Sequence, residues 1–111
     1  MHTLDEVLES NRKARVKRLL EYIKSNEGIR KDKLFGEFSF MHGLKKRTIY
    51  EYLEVLEATG AVVEEDYKGI KFIWSKEGFD VEERERRERE AKQEEEMTKN
   101  ISLDAYQMEG D

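Results

Sequence analysis

The sequence predicts an α+β chain: amphipathic helices forming one small core, a β-hairpin packed on them, and a charged tail. Three observations carry that prediction. Apolar residues recur at helical spacing up to residue 59, β-branched and aromatic runs replace them between 61 and 74, and from Asp80 onward charged residues dominate.

The chain's 111 residues fit one domain, with enough aliphatic and aromatic content for a single core. There is no cysteine, hence no disulfide framework and no thiolate metal site, which suits a reducing compartment. The opening Met1-His2-Thr3-Leu4-Asp5-Glu6 lacks the basic flank and long apolar run of a signal peptide, and no stretch is apolar enough to cross a bilayer. A cytoplasmic chain with no membrane partner is therefore expected. Charged residues make up 42% of the sequence, proline is absent, and Asn and Gln are scarce, the lean of hyperthermophile proteomes.

Taken in order, Thr3-Leu4-Asp5-Glu6 has the form of a capping box, and Leu4, Val7 and Leu8 share a face, so residues 1–11 read as a short helical extension. Ser10 and Asn11 are good N-caps, which places a second helix from Arg12, with Val16, Leu19, Leu20 and Ile23 turned inward and Gly28 as its stop. Ile29 reads as a very short strand. A third helix follows from Arg30 to Met41, burying Leu34, Phe35, Phe38 and Met41, and His42-Gly43 ends it. A tight glycine-containing turn leads into the next helix, over 44–59; two helices so joined make a helix-turn-helix.

Helix 44–59 grips the core through Ile49, Leu53 and Leu56 and turns Arg47, Tyr50, Glu51 and Glu54 outward. Lys45, Lys46 and Arg47 open it, where the helix dipole favours acidic groups. Local helix energetics give no reason for three cations there, whereas a polyanionic partner does. After Gly60, residues 61–67 and 70–74 form a hairpin about Lys68-Gly69, with Ile70, Phe72 and Trp74 on one face, packed on the helices. This completes a folded domain over 12–79.

From 80 to 111 the predicted structure is a solvated helix, held by the i, i+4 pairs Glu82–Arg86, Glu83–Arg87, Glu85–Arg89 and Glu88–Lys92, with residues 98–111 disordered. Its apolar residues do not repeat at coiled-coil positions. The net charge of −5 conceals segregation: residues 12–47 hold twelve basic and four acidic side chains, a net of +8, while residues 80–111 hold six basic and twelve acidic, a net of −6.

The order helix, short strand, helix, turn, helix, hairpin, with the run Gly43-Leu44-Lys45-Lys46-Arg47-Thr48-Ile49-Tyr50-Glu51-Tyr52-Leu53 through Gly60-Ala61-Val62, resembles the winged helix-turn-helix superfamily. The resemblance covers residues 12–76. In size, charge and polar tail the chain is also similar to small transcription factors of archaea and archaeal viruses. Lys45 departs from the pattern, standing where many members have a Ser or Thr cap. The resemblance implies a three-helix core with a β-hairpin wing and a transcriptional regulator binding double-stranded DNA, with helix 44–59 in the major groove and the 67–71 wing beside it.

On that reading Arg47 and Tyr50 are candidates for base contact and Lys45 and Lys46 for phosphate. Arg30, Lys31 and Lys33 begin the preceding helix, which crosses the backbone in such complexes, and Lys68 and Lys71 flank the wing tip. The plain alternative is a solvated face on a highly charged protein, and Glu51 and Glu54 would repel phosphate. A second function class, a winged-helix module that binds protein through its hairpin or acidic tail without touching DNA, stays open, as does a homodimer seamed by Leu4, Val7 and Leu8. His2 and His42 are the only histidines, which gives a metal site no support. No nucleophile-and-base pair or glycine-rich phosphate loop appears, so neither enzyme activity nor a cofactor is expected.

Overall fold

The computed structural model describes residues 4–109, and the side chains of residues 10–98. The chain is α+β: helix α1 (Leu4–Ser25), strand β1 (Ile29–Arg30), helices α2 (Lys31–His42) and α3 (Lys46–Ala58), strands β2 (Val62–Tyr67) and β3 (Ile70–Ser75), and helix α4 (Lys76–Glu109). It divides into two compact units, Met1–Phe79 and Asp80–Asp111. No described helix is long and apolar enough to cross a membrane.

The helix starts and stops follow local chemistry. Gly43, at φ 63°, closes α2 in the left-handed conformation, its N–H donating to the Ser39 carbonyl. At the end of α3, Gly60 N–H donates to the Glu57 carbonyl at 3.1 Å and Ala61 N–H to the Leu56 carbonyl at 3.0 Å, the paired bonds of a Schellman motif. Three residues, Gly43 to Lys45, separate α2 from α3.

One antiparallel sheet, ordered β1-β3-β2, lies against the helices. Its hairpin closes through Lys68 and Gly69, both at positive φ (53° and 82°), as a two-residue primed turn requires. Asp66 accepts the Gly69 N–H at 3.0 Å. The core is built from Leu19 and Ile23 of α1, Leu34 and Phe38 of α2, Ile49, Tyr52, Leu53 and Leu56 of α3, and Ile29, Val62 and Ile73 of the sheet. Between α1 and α2, the Tyr22 hydroxyl donates to Glu37. That hydrogen bond, with burial and the negative charge of Glu37, pushes the phenol up to about 12.

Four expectations give way. Residues 4–25 form one continuous helix, with no break at Ser10-Asn11. Neither glycine nor proline interrupts this stretch, and good helix formers flank both polar residues, so a potential N-cap does not act as one. Thr3 and the side chains of Leu4, Val7 and Leu8, on which the capping box and the dimer seam rested, lie outside the described residues.

Second, Ile70, Phe72 and Trp74 share a face, but it is not the core face. Glu64 pairs with Ile73 and Val62 with Ser75, so Val62, Ile73 and Ser75 are buried while Ile70 is exposed and Phe72 and Trp74 only partly buried. Third, Met41 is exposed rather than buried, because the inward stripe of α2 ends with Phe38.

Fourth, α4 begins at Lys76, ahead of Asp80, and continues to Glu109 instead of giving way to disorder at 98. Its start is well secured. Ser75 caps it by accepting the Gly78 N–H at 3.0 Å, and the Glu27 carboxylate accepts both the Ser75 N–H, at 2.8 Å, and the Ser75 hydroxyl. Farther along, Glu82–Arg86 and Glu83–Arg87 form as expected, at 3.2 and 3.3 Å, whereas Arg89 reaches back two turns to Glu82 at 3.1 Å rather than to Glu85.

Candidate nucleic-acid interface

The first turns of α2 and α3 and the tip of the β2–β3 hairpin enclose an open cleft of about 630 Å³. Six of the nine candidate residues line it: Arg30 and Lys31 from the start of α2, Lys46, Arg47 and Tyr50 from α3, and Lys71 from β3. Lys45, Lys33 and Lys68 do not. Phe35 and Ile70 give the cleft an apolar part, and Asp32 is its one acidic lining residue.

The cations converge because α3 is strongly two-sided. Ile49, Leu53 and Leu56 lock one side into the core, so Arg47 and Tyr50, off that stripe, are left at the surface, and Lys46, in line with the stripe, is exposed at the helix's first residue. Arg47 is 90% exposed and makes only a long 3.6 Å contact with Glu51, one turn on. Lys45 and Lys46 have no ion-pair partner among the described residues.

Neither helix that meets the cleft has a cap from its N-cap residue, although in α2 Asp32 accepts the Lys33 N–H at 2.9 Å. Arg30 before α2 and Lys45 before α3 are extended, and neither makes a side-chain capping bond. The first N–H groups of a helix need a partner, and here cationic side chains stand where an acceptor usually would. Two uncapped helix starts carrying positive charge beside one cleft form a surface suited to anions.

The far side of the cleft is restrained by one carboxylate. Glu64 of β2 holds Lys31 Nζ at 3.0 Å and Lys71 Nζ at 3.6 Å, and Lys31 also lies 5.6 Å from the centre of the Tyr50 ring. Lys31 and Glu64 are mostly buried, at 20% and 25% exposure, so Lys31 serves the packing of α2 on the sheet as much as any ligand. Glu57, on α3, joins this group. Its Oε1 is buried with no hydrogen-bond partner among the described residues, and its pKa is raised, chiefly by burial, then by the charge of Glu64, with Lys31 opposing and Glu54 adding.

Elsewhere, Arg30 pairs with Asp32 at 3.3 Å, Lys33 with Glu37 at 3.7 Å, and Lys68 lies 5.3 Å from the Tyr67 ring centre. Sequence reasoning had not singled out Phe35 and Ile70 as cleft residues, nor Glu64 as the keeper of two lysines. The signal for Glu64 lay in the two-residue turn, whose register puts Glu64, Asp66 and Lys71 on one face of the hairpin. No group of His, Cys, Asp or Glu able to hold a metal ion occurs among the described residues. No protein-family model matches the chain, and no curated protein or solved structure matches it.

Proposed function

We propose that the chain is a winged-helix protein that binds double-stranded DNA, a transcriptional regulator with α3 in the major groove and the β2–β3 turn beside it. The observation that carries this reading is the pair of uncapped, cationic helix starts at one cleft, on a helix whose opposite side is wholly committed to the core. Backbone phosphates would supply acceptors to the first-turn N–H groups other than that of Lys33, which Asp32 already holds. Arg47, exposed and loosely tethered, is the candidate for a guanine edge; Lys45 and Lys46 are candidates for phosphate.

A duplex-binding titration over a range of salt tests the proposal. Phosphate-dominated binding weakens steeply as salt rises, and a chain that fails to bind any duplex at low salt is not a DNA-binding protein. Within that assay Arg47→Ala is expected to relax base preference by about 1 to 3 kcal/mol at one position. Lys45→Ala is expected to weaken all sequences alike and to reduce the salt slope by about 1.

One observation favours a second reading, a protein-interaction module. Phe40 is 91% exposed, and Met41 beside it is also exposed, at the end of α2 away from the cleft. An amide-shift footprint confined to Phe40, Met41 or the acidic tail, and silent at Arg47 and Tyr50, would select that reading, and a molecular-mass measurement would decide between a monomer and a homodimer.

A further inference from the structure

The cleft holds more than a phosphate backbone needs. Its volume of about 630 Å³ greatly exceeds that of a phosphate group, and its lining has three chemically distinct parts. Phe35, Tyr50 and Ile70 offer apolar and aromatic surface, with Tyr50 still 48% exposed. Lys46 and Arg47 supply positive charge that internal ion pairs do not use up, since Lys46 has no partner among the described residues and Arg47 is held only at 3.6 Å, while Arg30 across the cleft is already paired with Asp32 at 3.3 Å. Asp32, 72% exposed, already meets Arg30 at 3.3 Å and accepts the Lys33 N–H at 2.9 Å, and its carboxylate keeps lone pairs for one further hydrogen bond.

A ligand matching all three parts has a planar ring that stacks on an aromatic side chain, a dianion that meets the cations, and an N–H donor on the ring for the carboxylate. Inorganic phosphate has no ring, and an uncharged aromatic leaves the cations unmatched. A nucleoside monophosphate with an exocyclic amine has all three. We infer that this cleft binds a free mononucleotide, its base against Tyr50 and Phe35 and its phosphate at Lys46 and Arg47, in a position that a DNA backbone cannot share. That the nucleotide displaces DNA rests on the DNA-binding reading above; that it binds does not.

The experiment titrates the full chain with adenosine 5′-monophosphate in the absence of DNA, following backbone amide shifts, with adenosine and inorganic phosphate as separate arms. Saturation at one nucleotide per chain is expected, with shifts centred on Phe35, Tyr50 and Ile70. Adenosine and phosphate should each bind at least about tenfold more weakly than the nucleotide. Tyr50→Ala should weaken the nucleotide about tenfold, the scale of losing one base–aromatic stack, while Lys24→Gln, on α1, removes the same charge as a cleft lysine variant and leaves binding unchanged.

Absence of saturable binding overturns the inference. So does phosphate binding as tightly as the nucleotide, an unaltered affinity in Tyr50→Ala, or shifts centred on Phe40 and Met41. A blunt duplex titrated alone reports separately on DNA binding, so failure of one reading is distinguishable from failure of the other. Where both hold, the nucleotide competes the duplex away from the parent chain and about tenfold less effectively from Tyr50→Ala.

Discussion

Glu57 holds one carboxylate oxygen buried and without a hydrogen-bond partner among the described residues. Burial first, and then the charges of Glu64 and Glu54, raise its pKa above the ordinary 4.5 against the pull of Lys31 and Lys71. The folded chain therefore holds this proton more tightly than the unfolded one. Its contribution to stability is complete below pH 4.5 and is lost as pH rises through the raised value. Glu57→Gln removes the cost of a buried charge, so the variant is expected to melt above the parent at pH 7, with the gap closing by pH 4; thermal melts at the two pH values check this. Gly28 is constrained from two directions at once. Its φ is +76°, and a Cβ there would come within 2.8 Å of the Trp74 ring. Gly28→Ala is expected to cost about 2 kcal/mol or more in denaturant unfolding, since left-handed backbone and overpacking both disfavour it.

At the scale of elements, the strength of α4 is concentrated at its first turn. Ser75→Ala removes the cap and a partner of Glu27, and about 1 kcal/mol of stability should go with it, read as a lower urea midpoint at unchanged m-value. The elements most legible in the sequence were those whose signals are local: the Gly43 and Gly60 stops, the Lys68-Gly69 turn, and the Ile49, Leu53, Leu56 stripe, to which the structure adds Tyr52. What was not legible depended on partners distant in the chain. Ile70, Phe72 and Trp74 have the apolar character of a core face, yet Ile73 takes that place because pairing with β1 and β2 fixes which side of β3 meets the helices. Ser10 and Asn11 are competent caps that a continuous helix overrides. The sequence places the start of α4 too late because its cap, Ser75, is also the last residue of β3 and is braced by Glu27, forty-eight residues earlier.

Across the folded unit, charge is arranged so that a net acidic chain presents a cationic cleft, and segregation along the sequence was the clue to it. The surface positions of Arg47 and Tyr50, though not that of Lys46 in line with Leu53, followed from helical periodicity. The cleft itself did not, because it needs α2, α3 and the hairpin brought together, and because the acid behind it, Glu64, looks in sequence like one more solvated glutamate. Glu64 holds two of the lysines that line the cleft. Glu64→Gln should release both and relieve Glu57 as well. On the DNA-binding reading, affinity at fixed salt then rises, and the plot of log K against log salt steepens by between about 1 and 2, a change that filter-binding at several ionic strengths would measure. The ionic strength at which the chain lets go of a polyanion would thus be adjustable from a single acidic position. Grip could be tightened or slackened there without altering any side chain that touches the partner.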